Sequence, residues 1–121
     1  MDSIDVKSLN FSLAHLGVNQ ETKEEAAHTV ALMKDLFGFE STETEGSYFV
    51  NDQFEVMKMP FLGRLGHVAL YTDDAVKAKA YLEGKGVAFD ETTAGYDANG
   101  RLMVIYFKDE IAGYAFHLKQ R

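Results

Sequence analysis

Hydrophobic positions recur with a period of two over residues 10–18: Ala14, Leu16 and Val18 share one face of an extended chain, and Phe11, Leu13, His15 and Gly17 share the other. Apolar side chains on both faces predict a strand buried on both sides. The period then lengthens. Thr22-Lys23-Glu24-Glu25 has the pattern of a capping box, Ala26, Val30, Met33 and Phe37 follow at helical spacing, and Gly38 provides a stop, so a helix is predicted over residues 22–37. Three short extended segments come next, near residues 39–43, 46–50 and 53–59. Asn51-Asp52, residues that tolerate the positive φ of a tight hairpin, join the last two. The first half therefore reads as βαβββ.

Pro60-Phe61-Leu62-Gly63 forms a connector, and residues 65–72 then repeat the character of the first strand. Asp73-Asp74 can cap a second helix that carries Ala75, Ala78 and Leu82 and is ended by Gly84 and Gly86. Residues 87–92, 102–107 and 114–119 supply three further strands, with residues 95–100 as a polar, turn-rich loop. The order is again βαβββ. Ala14-His15-Leu16-Gly17-Val18 aligns with Gly66-His67-Val68-Ala69-Leu70, which marks an internal duplication of residues 10–59 and 65–119. The fold class is α+β: two tandem modules in a single domain spanning residues 1–121.

Composition narrows the partners more than the fold. With 121 residues, 46% of them apolar and only one proline, the chain is long enough to bury one hydrophobic core. A net charge of −7 opposes broad attraction to phosphate backbones or anionic membrane surfaces, so neither nucleic acid nor membrane is an expected partner. Lys119-Gln120-Arg121, the nearest approach to a basic cluster, reads as a solvated end. No cysteine is present, so any metal must be held by imidazole nitrogen and carboxylate oxygen. The start, Met1-Asp2-Ser3-Ile4-Asp5, is acidic and lacks a secretory leader pattern, and no long apolar run follows, which predicts a cytoplasmic protein.

A tandem βαβββ repeat with a histidine in the first strand of each half resembles the vicinal-oxygen-chelate superfamily, of the glyoxalase, bleomycin-resistance and dioxygenase type. The likeness covers about residues 10–119. It implies a cleft-bearing open barrel with one ligand from the first and last strand of each module. The matching positions are His15, Glu55 in Phe54-Glu55-Val56-Met57, His67, and His117 in Ala115-Phe116-His117-Leu118. At the last position family members such as glyoxalase I carry a glutamate, so this chain departs from the pattern there. Ala14-His15-Leu16-Gly17-Val18-Asn19, Leu36-Phe37-Gly38-Phe39 and Gly66-His67-Val68-Ala69 also resemble a domain appended to certain bacterial keto-hydroxyglutarate/phosphogluconate aldolases. The chain is too short for an aldolase barrel, which needs about 200 residues.

Read by themselves, strand histidines are usually packed or hydrogen-bonded core residues. His15 and His67 differ in occupying equivalent places of a duplicated unit, where pseudo-symmetry would bring them together. Glu55 is either a solvated carboxylate on an open sheet face or a buried anion neutralised by a cation. His117 lies opposite Tyr114, Phe116 and Leu118 and is either packing or a ligand. Three imidazoles and one carboxylate suit a divalent transition metal, Zn, Ni, Co, Fe or Mn, rather than Mg or Ca. His28 falls on the polar side of the first helix and is left out. Tyr48, Tyr71, Tyr106 and Tyr114 are second-rank donors to a substrate oxygen. Arg64, Arg101 and Lys108 are candidates for neutralising an anionic ligand.

The expected activity is that of a metal-dependent enzyme of the isomerase, epimerase or lyase class. It would chelate neighbouring oxygens of a small oxo or hydroxy acid, with Glu55 doubling as a base. Two other readings stay open: a metal-free module that sequesters a small molecule, and an accessory domain of a sugar-acid aldolase. The family resemblance implies a homodimer. The short connector at residues 60–65 adds the expectation that modules pair between chains, because it looks too tight to let one chain fold back on itself.

Overall fold

A computed structural model describes residues 4–121. Met1, Asp2 and Ser3, which opened the leaderless reading, lie outside the described residues. A 3-10 turn, Val6–Leu9, precedes β1 (Ser12–Val18), α1 (Lys23–Phe37), β2 (Ser41–Glu43), β3 (Ser47–Val50) and β4 (Phe54–Met57). The second half runs β5 (Gly66–Thr72), α2 (Ala75–Gly84), β6 (Phe89–Tyr96), β7 (Leu102–Phe107) and β8 (Tyr114–Gln120). Both halves are βαβββ, and the class is α+β.

All eight strands join one mixed sheet in the order β2-β3-β4-β1-β5-β8-β7-β6. This order is symmetric about the β1–β5 pair. In each half the first strand pairs in parallel with the last, β1 with β4 and β5 with β8, while β1 and β5 meet antiparallel at the centre. The sheet does not close, because β2 and β6 remain its edges. It is an open barrel with a cleft.

Local chemistry explains the element ends. Thr22 is the cap of α1 rather than its first residue: its hydroxyl accepts from the Glu25 amide at 3.1 Å, and the Glu25 carboxylate reaches back to the Glu21 amide at 3.2 Å. Gly38, at φ 72°, ends the helix in the left-handed conformation. Asp74 caps α2 by accepting from Lys77 N–H. Asn51 and Asp52 both adopt positive φ, 52° and 58°, as the hairpin requires.

Several expectations change. The first strand is buried on both sides only from Ala14 onward, since Leu13 near its start is 53% exposed. Phe37 does not join the core: it is 61% exposed and packs at the surface against Phe39. The sixth strand continues to Tyr96, past the predicted boundary at residue 92. Thr93 makes this possible: its hydroxyl accepts the Tyr106 amide at 2.9 Å across an irregular stretch of the β6–β7 ladder, so a side chain takes the place of a backbone partner. The C-terminal triplet is not merely solvated either. Gln120 is buried and bridges the Ala75 amide and the Asp73 carbonyl, and Arg121 pairs with Asp73 and bonds the Asn10 carbonyl and Ser12.

Hydrophobic burial is also divided where one core was expected. Ala26, Val50 and Val56 pack with Val30, Met33 and Phe54 under α1, while Leu9, Ala75, Ala78, Ile105 and Leu118 pack with Phe89 and Leu102 under α2. Each fully buried aliphatic such as Ile105 or Leu118 stabilises by about 1.5–3 kcal/mol relative to exposure. The physical cause is the sheet itself. It sends each helix to its outer face, so Val56 and Leu118 point to the helices and their neighbours Glu55 and His117 point to the cleft.

Candidate metal centre

Register places the cleft residues. Across the centre of the sheet one row runs Phe49–Glu55–Gly17–His67–Ala115 from β3 to β8, and the next runs His15–Ala69–His117–Tyr106 from β1 to β7. Each large ligand-bearing residue is separated from the next by glycine or alanine. The side chains lean over these small neighbours and converge. The two modules place Glu55 and His117 in equivalent positions, each two strands away from the other module's histidine strand.

His15, His67 and His117 are 6%, 1% and 5% exposed, and each offers a nitrogen within 4.8 Å of the others. His15 Nε2 and His67 Nε2 are 3.2 Å apart, and Glu55 Oε1 lies 3.0 Å from His67 Nε2 and 3.4 Å from His15 Nε2. Donors held 2.0–2.1 Å from one transition-metal ion stand about 2.8–3.4 Å apart, so these three atoms have the spacing of a coordination polyhedron. All four residues come from one chain. The connector at residues 60–65 is therefore long enough, and the expected pairing of modules between chains is not needed to build this cluster.

Protonation adds to the fit. Burial pushes the Glu55 carboxyl up, but hydrogen bonds from His15, His67 and Ser47 outweigh it and hold the group well below the usual carboxylate range. Burial takes the His117 imidazole down to about 4, with repulsion from His67 and His15 in the same direction and the Leu118 hydrogen bond opposing. A carbonyl only accepts, so His117 Nδ1 carries the hydrogen toward Leu118 O at 3.1 Å and Nε2 keeps its lone pair. His67 Nδ1 is a buried nitrogen with no hydrogen-bond partner, which concentrates that ring's bonding at Nε2. The donor set is thus the imidazole nitrogens of His15, His67 and His117 with the Glu55 carboxylate beside them, chemistry that fits a borderline divalent ion.

Aromatic rings wall the cluster. Phe49 meets His15 edge-on at 5.3 Å, and its counterpart in the second module, Tyr106, lies 4.5 Å from the His117 ring. Burial, with the Glu55 charge adding to it, pushes the Tyr106 phenol up, so it stays protonated at neutral pH. Phe61 of the connector stands edge-on to both His67 and Tyr106, and Asn19 fixes that segment by bonding the Phe61 amide and the Gly63 carbonyl. A cavity of about 130 Å³ adjoins Tyr106, lined also by Leu62, Gly63, Phe107 and Lys108.

Of the second-rank residues only Tyr106 belongs to the cluster. Tyr48 lies under Lys58 and Tyr71 under Arg121, while Arg64, Arg101 and His28 are exposed. Sequence reasoning missed Gly17, Ser47, Phe49 and Phe61. A signal existed for two of them: a hairpin turning at Asn51-Asp52 pairs Phe49 with Glu55 and brings Ser47 one step along the same face.

No protein-family profile matches the chain, and no curated protein matches it. Solved structures do. A hypothetical protein from Bacillus halodurans C-125 superposes with a TM-score of 0.64 at 12% identity, covering 93% of this chain and 95% of that one. A methylmalonyl-CoA epimerase in complex with methylmalonyl-CoA and NH4+ gives 0.61 at 17% identity, covering 89% and 92%. The methylmalonyl-CoA epimerase of Mycobacterium tuberculosis gives 0.60 at 14%, covering 89% and 86%. The fold is the vicinal-oxygen-chelate fold. At these identities the likeness concerns architecture, and the chemistry must be argued from this chain's own residues. Among the described residues no helix is long and apolar enough to cross a membrane.

Proposed function

We propose that this vicinal-oxygen-chelate chain is a metal-dependent enzyme that moves a proton next to a carbonyl or hydroxyl of a small oxo or hydroxy acid or a related acyl compound, as an isomerase, epimerase or lyase does. One observation carries this reading: His15, His67 and His117 come from three strands to within 4.8 Å of one another in a buried cluster, with Glu55 Oε1 at 3.4 and 3.0 Å from His15 and His67. Such a set is costly to bury without a cation, because a carboxylate withdrawn from water needs a compensating charge. His15, His67, His117 and Glu55 would hold Zn, Ni, Co, Fe or Mn, and the bound ion supplies Lewis acidity toward two neighbouring substrate oxygens.

The remaining steps belong to side chains. Glu55 faces the cleft through Oε1 and would double as the base by leaving the ion transiently, freeing that oxygen to accept a substrate proton while Oε2 stays bonded to Ser47. Tyr106, protonated and on the opposite wall from Phe49, donates to a substrate oxygen. Phe61 and Phe49 exclude water from the reacting centre.

Elemental analysis of chain purified without tag or chelator, followed by proton exchange in deuterated water, tests the proposal. The probes are 2-oxo acids, 2-hydroxy acids and, given the epimerase neighbours, methylmalonyl-CoA. Exchange that appears with metal and vanishes with chelator supports it. Tight small-molecule binding by a chain that takes up no metal would favour the sequestering reading instead, and a genomic pairing with a sugar-acid aldolase would favour the accessory one. A homodimer in the cytoplasm completes the proposal and rests on the family resemblance; a monomer in sedimentation removes that part.

A further inference from the structure

Ser47 is 1% exposed, yet it is a hydroxyl in the cleft wall, one hairpin step from the carboxylate. Its Oγ lies 2.7 Å from Glu55 Oε2. An ionised carboxylate only accepts, so Ser47 must donate. Thr44 lies against it: its Oγ1 is 3.0 Å from Ser47 Oγ, and the Ser47 amide donates to Thr44 Oγ1 at 3.0 Å. The Thr44 hydroxyl also reaches the Ser47 carbonyl at 3.0 Å, so Thr44 holds Ser47 at its amide, its carbonyl and its hydroxyl while the Ser47 hydrogen goes to Glu55.

We propose that Ser47, backed by Thr44, is the positioning residue that locks Glu55 as a one-oxygen metal ligand. With Oε2 engaged, only Oε1 is presented to the nitrogens of His15 and His67, at 3.4 and 3.0 Å. The carboxylate is prevented from swinging to bind through both oxygens, and the turn between β2 and β3 becomes part of the metal centre. This inference rests on the metal-centre reading above.

The test measures Zn2+ affinity by chelator competition and the visible spectrum of the Co2+-loaded chain. Removing an outer partner of a metal ligand weakens binding by about 10–100-fold, and Ser47→Ala is expected to do so, with an altered Co2+ spectrum and little change in the melting temperature of the metal-free chain. Ser47→Thr keeps the hydroxyl and restores most of the affinity. In a Glu55→Gln background the Ser47→Ala change should have a much smaller effect, since its target carboxylate is gone. Should Ser47→Ala fail to fold, Thr44→Val carries the test at an exposed turn, where a severalfold loss of affinity supports the inference and none overturns it. Unchanged affinity and spectrum in Ser47→Ala overturn the inference and leave the centre standing. Failure of the unaltered chain to bind either ion overturns both.

Discussion

Gly17 sits directly opposite His67 on the β1–β5 ladder, and a Cβ added to it would fall 2.0 Å from the imidazole Cε1 and Nδ1. Backbone conformation does not demand glycine here, as φ is unexceptional; the ring itself occupies the space. In the other half of the pseudo-symmetric pair, His15 faces Ala69, where a methyl is accommodated. Gly17→Ala should therefore displace His67, destabilise the chain by about 1–3 kcal/mol as overpacking does, and weaken metal binding. A variant with unaltered melting temperature and metal affinity would show that the ring can move aside freely.

His67→Ala should reduce metal affinity by more than the ~10–100-fold typical of outer partners, because it removes a direct donor. Exposed His28 is the control: His28→Ala should leave metal content unchanged. Equal metal retention in both variants, read by elemental analysis, would disprove the ligand assignment.

Glu55→Gln keeps the shape of the side chain but removes the anion and the base. Proton-exchange activity should drop by at least about a hundredfold, the lower range for loss of a positioned acid or base, with only a small change in melting temperature. Matching losses of activity and stability with metal still bound would make Glu55 a structural carboxylate.

Acidification should destabilise the metal-free chain in two stages. His117 is held down to about 4 against a free value of 6.5, so between these values the unfolded chain binds the additional proton and stability falls as pH drops from 6.5 toward 4. The Glu55 carboxyl is held below its free value of 4.5, so its contribution is lost as pH falls further, below about 4.5. His117→Gln should flatten the first stage in melting curves recorded from pH 7 to 4. An unchanged slope would place the His117 imidazole in water in solution.

Much of this molecule follows from short-range pattern. The period-two and helical spacings, the caps at Thr22 and Asp74 and the turn at Asn51-Asp52 define the βαβββ order twice over, because each depends on residues a few positions apart. Alternation along each strand also predicts which face carries His15, Glu55, His67 and His117. What alternation leaves open is pairing. That Gly17 meets both Glu55 and His67, that Ala69 separates His15 from His117, and that Ser47 reaches Glu55 are consequences of register between strands far apart in the chain. The same holds for Phe61, whose connector is positioned over the cluster by Asn19 from the other module. Sequence by itself thus determined the elements and the faces, through local backbone and burial preferences. Only the tertiary structure decided the distances between donors, because those are set by non-local strand pairing and by the small residues over which the large side chains lean.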